Sequence, residues 1–168
     1  MLIKMAIKSG ILLLILWLFS CAPENTISRS ETEEDNKEIH NSKAAETIAI
    51  EITGEENEYT FSVTILSPDT GCQQYADWWE VIDLEENLLY RRILGHSHVN
   101  EQPFTRSGGT IPINKEKEVY IRAHMNNLGY GSNVLRGSVF SGFIKTKLQT
   151  DFAATLESKE PLPSNCAF

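Results

Sequence analysis

Two histidines stand two residues apart in the stretch RRILGHSHVNEQPF, residues 91–104, and a third, His124, lies in EVYIRAHM further on. Residues i and i+2 of a β-strand share a face. A strand running from Leu89 through Val99 therefore puts His96 and His98 on one side with Tyr90, Arg92 and Leu94. In the later segment Val119, Ile121 and Ala123 alternate inward, which turns His124 outward with Tyr120 and Arg122. Imidazole nitrogen is a preferred donor for zinc and copper, and three of them supply a protein's share of a catalytic-type tetrahedral site. The plainer reading leaves all three as polar residues at strand ends or near a turn; the alternative is a zinc or copper site built from His96, His98 and His124.

Other chemistries find less support. GHSHV places Ser97 one residue away from the Gly-x-Ser-x-Gly nucleophile elbow, but Val99 stands where the second glycine belongs. The strand-turn-helix context and the downstream triad partners are missing too. The paired histidines resemble the first motif of the cupins, although Glu101 follows His98 after two residues where that motif has three or four. The acidic runs EENE, LEEN and KEKE fall in turns, where such runs are ordinarily solvated. No catalytic residue is assigned, and the balance leans away from an enzyme. CQQYADWWE offers a different kind of site, because alternation sends Trp79 inward and Trp78 outward. An outward Trp78 beside Tyr75 can stack on a sugar or anchor a protein partner. The alternative is that a loop or the C-terminal tail covers it.

Lys4 and Lys8 precede nine apolar residues, Ile11 to Phe19, and Ser20 comes directly before Cys21. Nine residues are about half of the ~20 that a bilayer-crossing helix needs. Residues 1–20 therefore read as a secretory signal peptide. LFSC, at its end, resembles the lipobox of bacterial lipoproteins. That resemblance implies cleavage before Cys21, a diacylglycerol thioether on its sulfur and an amide-linked fatty acid such as palmitate, so that the membrane is a partner through lipid. At ~0.8 kcal/mol per buried CH₂, three acyl chains make release very slow. Ala22 lacks the acidic retention signal of the enteric lipoprotein pattern, which points to the outer membrane of a bacterial cell envelope.

From Cys21 to about Ala45 the chain holds six acidic and three basic residues, with Ile27 and Ile39 as its only large apolar side chains. Too little can be buried to offset the entropy of ordering it, so residues 21–45 read as a disordered tether. Losing Lys4 and Lys8 with the signal peptide takes the formal charge from −8 to −10. Without clustered Lys and Arg, nucleic acid is excluded as a partner. Cys72 and Cys166 then remain, an even number in a compartment where disulfides persist. A disulfide between them is the default expectation, two free thiols the alternative.

Residues 46–168 change character. TIAIEIT and EYTFSVTIL alternate apolar and polar residues around the turn GEEN, which predicts a hairpin. DWWEVID and LLYRRIL form a second pair around LEEN, GGTIPI and EVYIRAHM a third around NKEK, and VLRGSVFSGFIKTKL supplies one or two more strands. No stretch of ten residues there has helical apolar spacing. About seven short strands between turn signals predict an all-β antiparallel sandwich. With Trp79 inward on its third strand, the domain is similar to the immunoglobulin and fibronectin-like sandwiches of bacterial envelope lipoproteins. That resemblance carries no activity with it; the anchor, the tether and an exposed aromatic surface point to a non-enzymatic binding or structural module meeting another envelope protein or a glycan. Oligomeric state is not legible in the sequence.

Overall fold

The computed structural model describes residues 43–167. The expected signal peptide, the lipidated Cys21 and nearly all of the tether lie outside the described residues. Nine strands follow in order: β1 (Glu46–Thr53), β2 (Tyr59–Leu66), β3 (Ala76–Asp83), β4 (Leu88–Ile93), β5 (Phe104–Ile111), β6 (Val119–Met125), β7 (Gly129–Tyr130), β8 (Asn133–Ser138) and β9 (Gly142–Lys147). A 3₁₀ turn, Ala154–Ser158, is the only helical element among the described residues.

Two antiparallel sheets face each other. The smaller has the order β1-β2-β5 and the larger β4-β3-β6-β8-β9, with the short β7 beside β8 on the same edge of β6. The core between them comes directly from strand alternation. β2 contributes Tyr59, Phe61, Val63 and Ile65, while β3 and β6 answer with Trp79, Val81, Val119, Ile121 and Ala123. Phe104 and Ile111 of β5 close it. The fold is the expected all-β sandwich, with nine strands rather than about seven. The additions are the two-residue β7 and the separation of β8 from β9. Their hairpin depends on glycine, since a Cβ on Gly137 would collide with the carbonyl of Gly142.

One expected pairing is corrected. β5 does not pair with β6 but crosses to the smaller sheet and pairs with β2, Val63 facing Arg106 and Thr64 facing Thr105. β6 instead has β3 along one edge and β7 with β8 along the other. Period-two alternation reports which face a residue occupies and is silent about which neighbour its strand takes.

All eight residues of β3 are buried, including Asp77, Glu80 and Asp83. A strand on an open sheet face would show polar residues to water on alternate positions. Here the segment after β9, residues 148–167, lies across the outer face of the larger sheet as a strap. Phe152, Ala153 and Leu156 pack with Ile82, Leu88 and Tyr120 in a second apolar cluster. A disulfide between Cys72 and Cys166, with Cα atoms 5.6 Å apart, ties down its end. The expected pairing of these two cysteines is therefore present.

Candidate functional site

Under the strap, Glu80 stands opposite Arg91 of β4 on one side and Arg122 of β6 on the other. Its carboxylate takes a two-pronged hydrogen bond from each. Arg91 Nε and Nη2 approach Oε2 at 2.8 and 2.6 Å, and Arg122 Nε and Nη2 approach Oε1 at 2.8 and 2.7 Å. The remaining guanidinium donors reach into the strap. Arg91 donates to the carbonyls of Leu156, Lys159 and Pro161, and Arg122 to those of Phe152 and Ala153. These bonds stand in for the ladder that an irregular segment lacks, since buried carbonyls require donors. Arg91 also lies 4.5 Å over the Trp78 ring and Arg122 3.3 Å over that of Tyr130.

His124 belongs to this covered face. Its ring stacks on Trp78 with centroids 3.6 Å apart, and its Nδ1 is 2.7 Å from Asp77 Oδ1. The register shift between Ala76 and Trp78 accompanies the placement of Asp77 on that side while Ala76 stays in the core. Trp78 does project outward, but the expectation of an exposed contact surface is corrected: Trp78 is 3% exposed and Tyr75 4%. Arg91 and the stacked His124 ring cover the tryptophan.

His96 and His98 lie elsewhere, because β4 stops at Ile93 and the chain enters a loop at the rim of the sandwich. His98 stacks on Phe104, a core residue of β5, with centroids 3.7 Å apart. Asp69, itself buried, organises this loop. It accepts hydrogen bonds from the backbone N–H groups of His98 and Ala76, at 2.8 and 3.0 Å, and from the hydroxyl of Ser67. A cavity of about 570 Å³ opens here, lined by His96, Ser97, His98, Val99, Asn100, Glu101 and Ala167 of the strap. The strap reaches it by donating the Ala167 N–H to the carbonyl of Gly95. Burial pushes the His98 imidazole below its ordinary pKa, and the positive Arg106 nearby acts in the same direction. Arg106 is itself held by two hydrogen bonds to Glu101.

The structure thus brings His96 and His98 together, ring centroids 4.3 Å apart, and leaves His124 on the outer face of the larger sheet. Among the described residues no group of three or more His, Cys, Asp or Glu side chains is placed to hold a metal ion. The three-histidine arrangement expected from spacing is not assembled. It assumed that β4 continued to His98, and the strand ends five residues earlier.

The chain is 33% identical over 120 residues to a protein of Halomicrobium mukohataei named "Putative lipoprotein", a match covering 71% of this chain and 58% of that relative. The chain therefore spans less than two thirds of the relative's length. No protein-family model matches the chain, and no solved structure does. Among the described residues no helix is long and apolar enough to cross a membrane.

Residue-type reasoning passed over Glu80, Arg91, Arg122 and Asp69. The first three carried a signal: charged residues at outward positions of three strands that pair in register. Asp69 carried none, since an aspartate in SPDTG reads as an ordinary turn residue.

Proposed function

We propose that this protein is a lipid-anchored component of the cell envelope whose β-sandwich is a binding or structural module rather than an enzyme. The observation that carries the reading is the similarity to the Halomicrobium protein named "Putative lipoprotein". It joins with a cysteine at position 21 that directly follows an apolar leader. In this reading Cys21 carries the diacylglycerol and the fatty acid, and Ala22 routes the protein to the outer membrane. The sandwich then meets a second envelope protein or a glycan.

Two features of the fold support a module. The first, second and fifth strands share one sheet while the third and sixth share the other, the partition of an immunoglobulin or fibronectin-like domain. The ionisable side chains best suited to acid-base work, Glu80, Asp77, Asp69 and His124, are bonded within the fold and not presented to solvent. Metabolic labelling with palmitate tests the anchor. The native protein incorporates label and a Cys21→Ala variant does not. Equal labelling of both overturns the reading.

A further inference from the structure

We propose that the side of the sandwich formed by β1, β9 and the β8–β9 turn is a membrane-contact surface, seated on an anionic lipid bilayer with Phe140 and Ile144 in its headgroup layer. The inference rests on the reading of Cys21 as lipidated and adds to it a second contact made by the protein itself. Among the described residues Phe140 and Ile144 are the most exposed large apolar side chains, at 73% and 70%. Single exposed apolar residues are ordinary, whereas apolar surface gathered in one place marks a contact site. Both stand on one hairpin, and the turn holds Phe140 out. Ser141 donates its N–H to the Ser138 hydroxyl at 3.0 Å, and Phe140 donates its own to the Lys115 carbonyl at 2.9 Å. Next to Ile144 in the chain, Phe143 and Lys145 join Ile48, Ile50 and Ile52 of β1 in lining an apolar groove of about 460 Å³.

Charge and position select the occupant. β9 is the outermost strand of its sheet, so an edge of its backbone is open to a strand from a second copy. Lys145 and Lys147, however, are exposed on that strand without ion-pair partners among the described residues. Lysines on an edge strand oppose such pairing, because two copies bring like charges together. The same lysines suit the negative headgroups of a bilayer, as does Lys115, whose Nζ lies 5.9 Å from the Phe140 ring. The carboxylates of Glu46 and Glu118 beside these strands are already engaged by Asn133 and Arg136. The chain also enters the domain here. Ala45 lies so close to Gly131 that a Cβ there would strike its carbonyl, and Glu46 accepts from Asn133, whose partner in β9 is Lys147. Residues preceding Lys43 therefore join the fold beside one end of β9. An anchor at Cys21 makes docking of this side an intramolecular step, at an effective concentration on the order of millimolar, so a weak contact suffices.

Depth-dependent fluorescence quenching tests the surface on the protein purified from membranes and reconstituted into vesicles of phosphatidylcholine with about 30% phosphatidylglycerol. The native indoles of Trp78 and Trp79 are buried and give a constant background. In Phe140→Trp and Ile144→Trp, brominated acyl chains should quench the added emission at least about twofold, because the indole lies at the lipid interface. Thr105→Trp, on β5 at the far edge of the smaller sheet, should not be quenched. All three positions are exposed, so the variants keep the fold. Adding Lys145→Glu and Lys147→Glu to Phe140→Trp should reduce quenching at least ~3-fold, and so should salt at about 1 M, where charges are screened within ~3 Å. Protein that floats with the vesicles but shows no quenching at positions 140 and 144 overturns the surface and leaves the anchor standing. So does equal quenching in Thr105→Trp. A blue shift at position 140 that requires a high protein-to-lipid ratio and comes without quenching assigns the edge to a second copy and also overturns it. Protein that fails to float with the vesicles overturns the anchor, and this proposal with it.

Discussion

On the strap-covered face, Glu80, Arg91, Arg122, Asp77 and His124 are all buried, and each is hydrogen-bonded. At the rim His98 is buried to the same degree and its ring has no partner. The two regions are equally dry, and these charged side chains of the first are bonded where the imidazole of the second is not. A buried ion network whose bonds are all made is a fastening: it contributes little against a well-packed apolar alternative, yet losing one member is costly. The buried His98 ring is held instead by stacking on Phe104 and by the bond from its backbone N–H to Asp69. Burial alone would have ranked these two regions together, and the hydrogen-bond inventory separates them.

The largest effect is expected from breaking the saturated region. Glu80→Gln keeps the shape of the side chain but leaves two buried guanidinium groups without a counter-charge, a loss of ~3 to 5 kcal/mol in urea unfolding. Strap amides should lose protection from hydrogen exchange in the same variant, because the arginines that hold Leu156, Lys159 and Phe152 lose their anchor. A fall below ~1 kcal/mol would mean that water reaches the network, and the contrast with the rim would fail.

Removing the disulfide sharpens the contrast, since it touches both regions. Cys72→Ser with Cys166→Ser should cost ~2 to 4 kcal/mol by relaxing constraint on the unfolded chain. Its structural effect should be uneven. The last residues, including Ala167 at the rim cavity, should exchange quickly with solvent, while Phe152 to Lys159 stay protected under the arginines. Uniform loss along the whole strap would show that the disulfide, not the ion network, holds the covered face.

The smallest effect extends the comparison to titration. Burial acts to raise the pKa of Asp83, but hydrogen bonds from the Asn87 backbone and side chain and from Lys117 prevail and hold it at about 2, below its ordinary 3.8. A carboxylate depressed in the folded state stabilises fully above its unfolded pKa, and that stabilisation is lost as pH falls through the folded value. The native protein should therefore lose about 1 to 2 kcal/mol from this group between about pH 4 and pH 2. Asp83→Asn, which cannot titrate, should show a flatter decline over that window. An unchanged slope would mean that Asp83 is solvated and its bonds are not made in solution.

Much of the sandwich was legible in the residues themselves. Alternation in YTFSVTIL and VYIRAHM assigned the inward face of β2 and β6 correctly, and Trp79 was placed in the core, because burying every second side chain is a local property of a strand. The Cys72–Cys166 bond followed from counting. What needed the tertiary structure was everything that depends on a neighbour. Alternation could say that Trp78 points outward but not that a strap lies over that face, because residues 148–167 have no regular period and are held by arginine side chains reaching their carbonyls. It placed His96 and His98 on one face of their strand and His124 outward on another without knowing where β4 stops, and five residues of loop separate the expected three-histidine site from a pair. The saturation of Glu80 and the unmade bonds of His98 were equally out of reach, since a residue's type states what bonds it can form, while only packing decides which of them it finds.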